Sequence, residues 1–346
     1  SVLGSPAWRK AYTSALPLLT EHGTEISQNE HLQRAYAKVG EALPADASEE
    51  TRSAVDHALR DFHLAGVDLQ KTAKDRFKTI MRELAATQAS FEHNVQDASD
   101  AWSLHVEDPS RLDGLPQQAL DRAAGSAADK NLEGWLLTLD YPTYDAELTH
   151  ATNRELRETV YKAWVTRGSD KGASPDWDNT DNITKILALR HEAANLVGFE
   201  TYADYSLATK TANSTEQVID FLRELASHSR ARAEQELAEL SEFAGQPLEP
   251  WDVTFWLEKL KQDRFSISNE ELRLYFPADT VVGGLFALAE KLYDVAFQET
   301  TDVAAWHDDA RYFTLKSASG EVLGGFYTDL FARSGKRNGA WIDECI

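Results

Sequence analysis

A chain of 346 residues, 42% hydrophobic and with a formal net charge of −22 from 57 acidic and 35 basic side chains, can bury a sizeable core but lacks the basic footprint of a nucleic-acid binder. No stretch approaches the ~18 uncharged apolar residues of a membrane-crossing helix, and residues 1–10 have no apolar run of the secretory kind. The acidic surface reads as solvation, and neither nucleic acid nor membrane is expected as a partner.

The single cysteine, Cys345, excludes an internal disulfide and fits a reducing compartment, so a cytoplasmic location is expected. The chain begins at Ser1 and holds one methionine, Met81. A lost upstream start codon, and hence a fragment, is the expectation.

Residues up to about Gly245 read as helical. HLQRAYAKVGEAL sets Leu32, Ala35, Tyr36, Val39 and Leu43 at three- and four-residue steps. The next rhythm, over 48–66, ends at Gly66, a C-terminal cap. Residues 74–102 form a long amphipathic stretch without Gly or Pro, where one of the longest helices is expected. GWLLTLDYP, over 134–142, is a short apolar run closed by proline and reads as a strand. Capping boxes are expected at Thr152/Glu155, Ser214/Gln217 and Ser268/Glu271, each ahead of an apolar run. That capping role also outweighs the glycosylation pattern at Asn213-Ser-Thr215. Between them, NITKILALRHEAANLVGF carries Ile183, Ile186, Leu187, Leu189 and Leu196 as its apolar set and stops at Gly198. AGQPLEP, over 244–250, is the candidate boundary between a helical region (1–245) and a final region (246–346). A hairpin is expected there, from 311–316 and 322–331 around the turn at 317–320. Repeats and low-complexity tracts are absent.

Chemical motifs are scarce. A zincin helix needs two histidines four apart with a glutamate between them. His191-Glu192 has Asn195 in the second position, so the residues read as a polar helix face. No other pair of the ten histidines has that spacing. One cysteine cannot build a zinc cluster, and Cys345 has no evident partner for nucleophilic work. Gly335-Lys336 is not a phosphate loop, because Leu330 and Arg337 occupy the positions of its first Gly and its Ser or Thr. Gly324-Gly325 lacks the third glycine of a dinucleotide fingerprint, and residues 178–181 lack the glycine and distal Glu of a calcium loop. Carboxylate pairs are too numerous in so acidic a chain to carry an acid–base argument. The residues themselves therefore indicate no catalytic and no metal-binding side chains.

A series of short motifs in fixed order nevertheless resembles the thimet oligopeptidase and oligopeptidase A family of zinc metallopeptidases. The series runs from Trp8 with Tyr12 and Leu16-Pro17, through ALRDFHLAGVDL (58–69), EGWLLTLD (133–140), NRELR (153–157) and WDNT (177–180), to ILALRHE (186–192) and GFETY (198–202). SLATK (206–210), Trp251-Asp252, YFP (275–277), Trp306-His307 and GAW (339–341) complete it. Phe255-Trp256 departs from the two tyrosines usual there, and Asp308 from a proline. The resemblance implies a mainly α fold, a multi-helix neurolysin/oligopeptidase-like lobe with a small antiparallel β hairpin near the C-terminus, lining a channel that admits short peptides. It also implies a zinc cofactor held by an HExxH helix beyond Ile346, so no zinc is expected on this chain and the chain alone is expected to be inactive. Residues 322–330 resemble the strand beside the family's active site, which makes Gly324, Gly325, Phe326 and Tyr327 the candidate substrate-binding residues. Expected partners are short peptides and the missing C-terminal catalytic region; apolar surface left uncovered by truncation would promote self-association. The rival reading is a catalytically dead helical module that binds peptides or pairs with a separate zinc-bearing chain.

Overall fold

The computed structural model describes residues 4–333, 335–337 and 339–344; Cys345 and Ile346 lie outside them. The first helices are α1 (Pro6–Ser27), α2 (Glu30–Glu41), α3 (Glu49–Leu64) and α4 (Lys71–Ala101). Side-chain oxygens set the starts of α1, α2 and α3: Ser5 accepts from Trp8 N, Asn29 from His31 N and Leu32 N, and Ser48 from Thr51 N. Beyond α3, Gly66 takes φ +79°, the left-handed stop that glycine favours. Next come β1 (Ser103–Val106), α5 (Gln117–Asp129), β2 (Trp135–Thr138), α6 (Tyr141–His150) and α7 (Arg154–Thr166). They are followed by α8 (Thr180–Leu196), α9 (Tyr202–Leu207), α10 (Thr215–Ala244), α11 (Pro250–Phe265), α12 (Asn269–Arg273) and α13 (Ala278–Tyr293). Strands β3 (Val295–Thr300), β4 (Arg311–Ser317) and β5 (Val322–Thr328) finish the described chain. The fold is mainly α, with small antiparallel sheets.

The chain forms two compact units. One comprises Ser5–Ala98 and Thr166–Gln235; the other holds Ser99–Val165 and the described part of Glu236–Ile346, with Gly4. In the first, Phe77, Ile80 and Leu84 of α4 meet Leu189 and Ala193 of α8 and Val197 just beyond it. Those α4 residues recur at helical spacing, and each large side chain so buried contributes about 1.5–3 kcal/mol. Asn179, 1% exposed, supports the same pairing: it donates to Phe91 O and accepts from Asn94 Nδ2 at 3.0 Å.

In the second unit, β1 and β2 pair antiparallel, Ser103 opposite Thr138 and Val106 opposite Trp135. Val106, Leu137, Leu148, Leu156 and Val160 bring β1, β2, α6 and α7 into one core. An ionic clamp fastens α7 to α11. Asp252, 0% exposed, accepts from Arg154 Nε and Nη2 and from Arg157 Nη2 at 2.7–3.0 Å, and from Glu249 N. Arg157, itself buried, spends its other donors on the carbonyls of Ala151, Thr152 and Trp251 and lies over the Phe255 ring.

Several sequence expectations change in detail. α7 is capped by Asn153, whose Oδ1 accepts from Leu156 N; Thr152 instead donates its hydroxyl to Asp113 O. The caps at Ser214 and Ser268 stand, though Gln217 reaches the amide of Asn213 rather than that of Ser214. On α8, Leu189 is buried but Ile183 and Leu187 are exposed. The stripe on α2 is likewise half open: Leu32, Tyr36 and Val39 remain exposed, although Tyr36 touches Phe62. β1 arises in a stretch read as helical. The final hairpin gains a third strand, β3, and its last strand ends at Thr328 rather than Phe331.

Candidate functional site

The last sheet has the order β3-β4-β5, so β5 is an edge strand. Phe297 lies opposite Leu315, Phe313 opposite Phe326, and Tyr312 opposite Tyr327. Because strand side chains alternate, Phe297, Phe313 and Phe326 point to one face and Tyr312 and Tyr327 to the other. On the first face α13 lays Phe286 against all three phenylalanines, its ring 4.5 Å from Phe297, 4.9 Å from Phe313 and 6.0 Å from Phe326. Phe297 N donates to Glu290 Oε1, and Arg311 bridges Asp279 and Glu299, so α13 is tied down along its length. The bonds to Glu299 and Asp279 hold the Arg311 guanidinium protonated well above its ordinary range, and Glu299 is correspondingly lowered.

On the opposite face Trp306, Tyr312 and Tyr327 form a small aromatic cluster, with ring centroids 4.8 Å apart in each of the pairs that Tyr327 makes. The Tyr327 hydroxyl donates to Ala304 O at 2.9 Å. Tyr312 leans diagonally over Gly325, where a Cβ would fall 2.0 Å from its hydroxyl oxygen. Gly325 is therefore a glycine for the sake of Tyr312. Gly324 differs: nothing lies within 4 Å of where its Cβ would stand. Beside it the ladder is irregular, with Leu315 opposite Gly324 but Lys316 opposite Val322, so Leu323 is the extra residue of a bulge. Bulges bend and twist an edge strand and are frequent beside binding sites.

The segment after β5 is latched. Asp329 accepts from Trp306 Nε1 (2.8 Å), from Arg333 through two nitrogens (2.7 and 2.8 Å) and from Lys336 Nζ (3.0 Å). Lys336 also donates to the carbonyls of Asp329 and Phe331. Arg333, ahead of Trp306 and Lys336, holds the Asp329 carboxyl far below the usual carboxylate range. Reading Gly335-Lys336 only as a failed phosphate loop missed this latch. The sequence contains its members but no spacing that pairs them.

The four candidate residues thus lie together on one edge strand but serve different surfaces. Gly324 is open, Gly325 lies beneath Tyr312, Phe326 faces α13, and Tyr327 belongs to the aromatic cluster. The cluster itself, Trp306 with Tyr312, has no short-range sequence signal.

The zincin near miss resolves into structure. Glu192 takes a two-point ion pair from Arg76, with Nε to Oε1 at 2.6 Å, and that bond lowers its pKa. Asn195 donates to the carbonyls of Phe199 and Glu200, closing the end of α8. Among the described residues no group of three His, Cys, Asp or Glu side chains is placed to hold a metal ion. A protein zinc centre takes three or four such donors, so these residues do not fit that ion. No helix of the described residues is long and apolar enough to cross a membrane.

The architecture is that of a mainly helical protein carrying a small sheet whose outer strand, β5, has no further strand partner among the described residues. Residues 147–346, which include that sheet, match the family model described as Peptidase family M3, and the chain belongs to that family. Over 353 aligned residues it is 44% identical to Oligopeptidase A of Escherichia coli (strain K12), covering 100% of this chain and 52% of that protein. It is 34% identical over 361 residues to Probable cytosolic oligopeptidase A of Arabidopsis thaliana, covering 99% and 51%. Similarity extends to Dipeptidyl carboxypeptidase of Escherichia coli (strain K12), 31% identical over 292 residues, covering 82% and 42%. The chain spans about half the length of the curated relatives it matches.

Proposed function

We propose that the chain is the N-terminal and central portion of a zinc oligopeptidase that hydrolyses internal bonds of short peptides in the cytosol, and that it is inactive alone. The observation carrying this reading is the 44% identity to Oligopeptidase A along the whole chain. The name of the Arabidopsis relative supports the cytosolic part. The zinc and its general base would come from polypeptide beyond Ile346, since the described residues offer no donor set. Zinc, when bound there, would supply Lewis-acid polarisation and an activated water.

In this reading the final region, residues 246–346, contributes the channel wall. The outer side of β5 has no strand partner among the described residues. An extended peptide could add to it by main-chain hydrogen bonds, a mode that recognises backbone and leaves side-chain preference loose. Gly324 offers room for that backbone to come close, and Phe326 and Tyr327 hold the strand between α13 and the aromatic cluster.

The test is turnover of a quenched short peptide by the purified chain, with added zinc and with chelator, beside Escherichia coli Oligopeptidase A. No turnover by the chain is expected. Zinc-dependent, chelator-sensitive turnover that follows the pure protein would overturn its inactivity. The bare β5 edge also supports a second reading, a non-catalytic peptide-binding module. Peptide binding without hydrolysis, lost when the peptide's backbone amides are methylated, would favour it.

A further inference from the structure

α13 carries two apolar stripes rather than one. Phe286 is half-buried and packs on the sheet against Phe297, Phe313 and Phe326, and Val282, one helical turn before it, is half-buried too. Val281, Leu285, Leu288 and Leu292 remain 49%, 61%, 55% and 65% exposed. Their spacing of four, three and four is that of a coiled-coil seam, and at 100° per residue the four Cα positions fall within an arc of about 60°. Gly284 flanks the seam with open space where its Cβ would be. That lets a neighbouring helix approach to the usual interaxial distance of about 8–10 Å. Bonds from Glu290 and Asp279 to the sheet residues fix which way the helix faces, so rotation cannot hide the seam.

We propose that Val281, Leu285, Leu288 and Leu292 are the seat of one amphipathic helix, supplied by polypeptide that follows this region in the longer members of the family. The proposal rests on the reading of the chain as the forward part of such a protein and names where the remainder docks. Three observations choose this occupant. The chain covers only 52% of Oligopeptidase A, so about as much polypeptide again is available to cover it. The chain leaves the described structure beyond β5, on the same sheet that carries α13, and consecutive elements usually neighbour one another. A second copy is disfavoured because two chains of net charge −22 would have to come together.

The experiment compares this chain with a fusion that continues it into the C-terminal remainder of Escherichia coli Oligopeptidase A. Carbene footprinting reads the exposure of Leu285 and Leu288, and calorimetry reads the melting of L285E/L288E in both proteins. The expected result is labelling in the chain alone, falling at least about fivefold in the fusion. The double variant should melt within about 1 °C of the parent in the chain alone and several degrees lower in the fusion. Equal labelling of chain and folded fusion overturns the seat. So does a fusion with no cooperative transition, or a variant that melts early in the chain alone, which would make the seam part of this chain's own core. Protection already present in the concentrated chain and abolished by L285E/L288E assigns the seam to a second copy instead. Peptide turnover by the fusion is read separately. Turnover with an unprotected seam defeats the seat and spares the functional reading, and a protected seam without turnover does the reverse.

Discussion

Removing the Asp252 carboxylate strands Arg157, a guanidinium that is itself 2% exposed. Breaking one side of a buried ion pair leaves the other charge desolvated, which typically costs about 3–5 kcal/mol. Asp252→Ala should lower the unfolding free energy by that order, read from the shift of the urea midpoint multiplied by a common slope. Burial pushes the Asp252 carboxyl up, but hydrogen bonds from Arg154 and Arg157 and the Glu249 amide outweigh it and hold the group at about 2. Its contribution is therefore present above the ordinary carboxylate value and is lost as pH falls toward 2. Glu147 has the opposite sign. Desolvation raises it to about 8, and its Oε2 has no hydrogen-bond partner. The folded chain keeps that proton while the unfolded chain releases it, so stability falls as pH rises from about 4.5 to about 8. Glu147→Gln should remove this alkaline limb, leaving stability near that of the parent at pH 4 and above it at pH 9. At about 1.4 kcal/mol for each tenfold change in proton affinity, the gain is of order a few kcal/mol. Equal loss of stability at both pH values in the Glu147→Gln protein would refute the assignment. Neither role was legible in the sequence: Trp251-Asp252 stood out only as a motif, and Glu147 was one acid among 57.

Helix ends were easier to read than helix surroundings. Ser214 and Ser268 cap where the side-chain chemistry required it, and Gly66 and Gly198 take the positive φ expected of helix stops. The cap of α7 slipped by one residue because Thr152 and Asn153 are both competent acceptors, and the nearby Asp113 carbonyl takes up Thr152. β1 was missed because SLHV is only four residues and its pairing partners, from Val106–Trp135 to Ser103–Thr138, lie 29 to 35 residues further along the chain. The two adjacent glycines of β5 show what a local reading leaves out, since their difference lies in Tyr312. Gly325→Ala must push that ring off its Tyr327 contact and should cost about 1–3 kcal/mol as an overpacked site. Gly324→Ala meets nothing and should be neutral, or stabilising by about 0.5–1 kcal/mol through a stiffer unfolded chain. Equal melting shifts for the two variants would show that the glycines only relieve strand twist. A drop in peptide binding confined to Gly324→Ala would support backbone approach at that position.

Besides the change at 4/5 ahead of α1, the chain passes between its two compact units at residues 98/99, 165/166 and 235/236, inside or at the end of α4, α7 and α10. Helices that continue through a change of unit carry no Pro or Gly punctuation, so no linker composition could mark those points. The ordered motif series was legible because it spans the chain, whereas the apolar seam on α13 shows itself only once its neighbours are placed. Charge is the one property of the whole molecule that composition alone determines, and it leads to a further prediction. With 57 acidic against 35 basic side chains, like-charge repulsion should oppose the folded state more than its exposed ion pairs support it. Many of those pairs, such as Arg230–Glu234 and Arg223–Asp220, lie on exposed helix faces where the gain is small. Raising sodium chloride from about 0.01 M to about 0.15 M shortens the screening length from about 30 Å to about 8 Å. That weakens repulsion between distant carboxylates while leaving the buried Asp252 clamp nearly untouched. The melting temperature should therefore rise over this range, before salt begins to act through apolar hydration. A fall over the same range would mean that the exposed pairs together outweigh the net charge. The Asp252→Ala variant separates the two cases, because its salt slope should match the parent's if long-range repulsion governs the response.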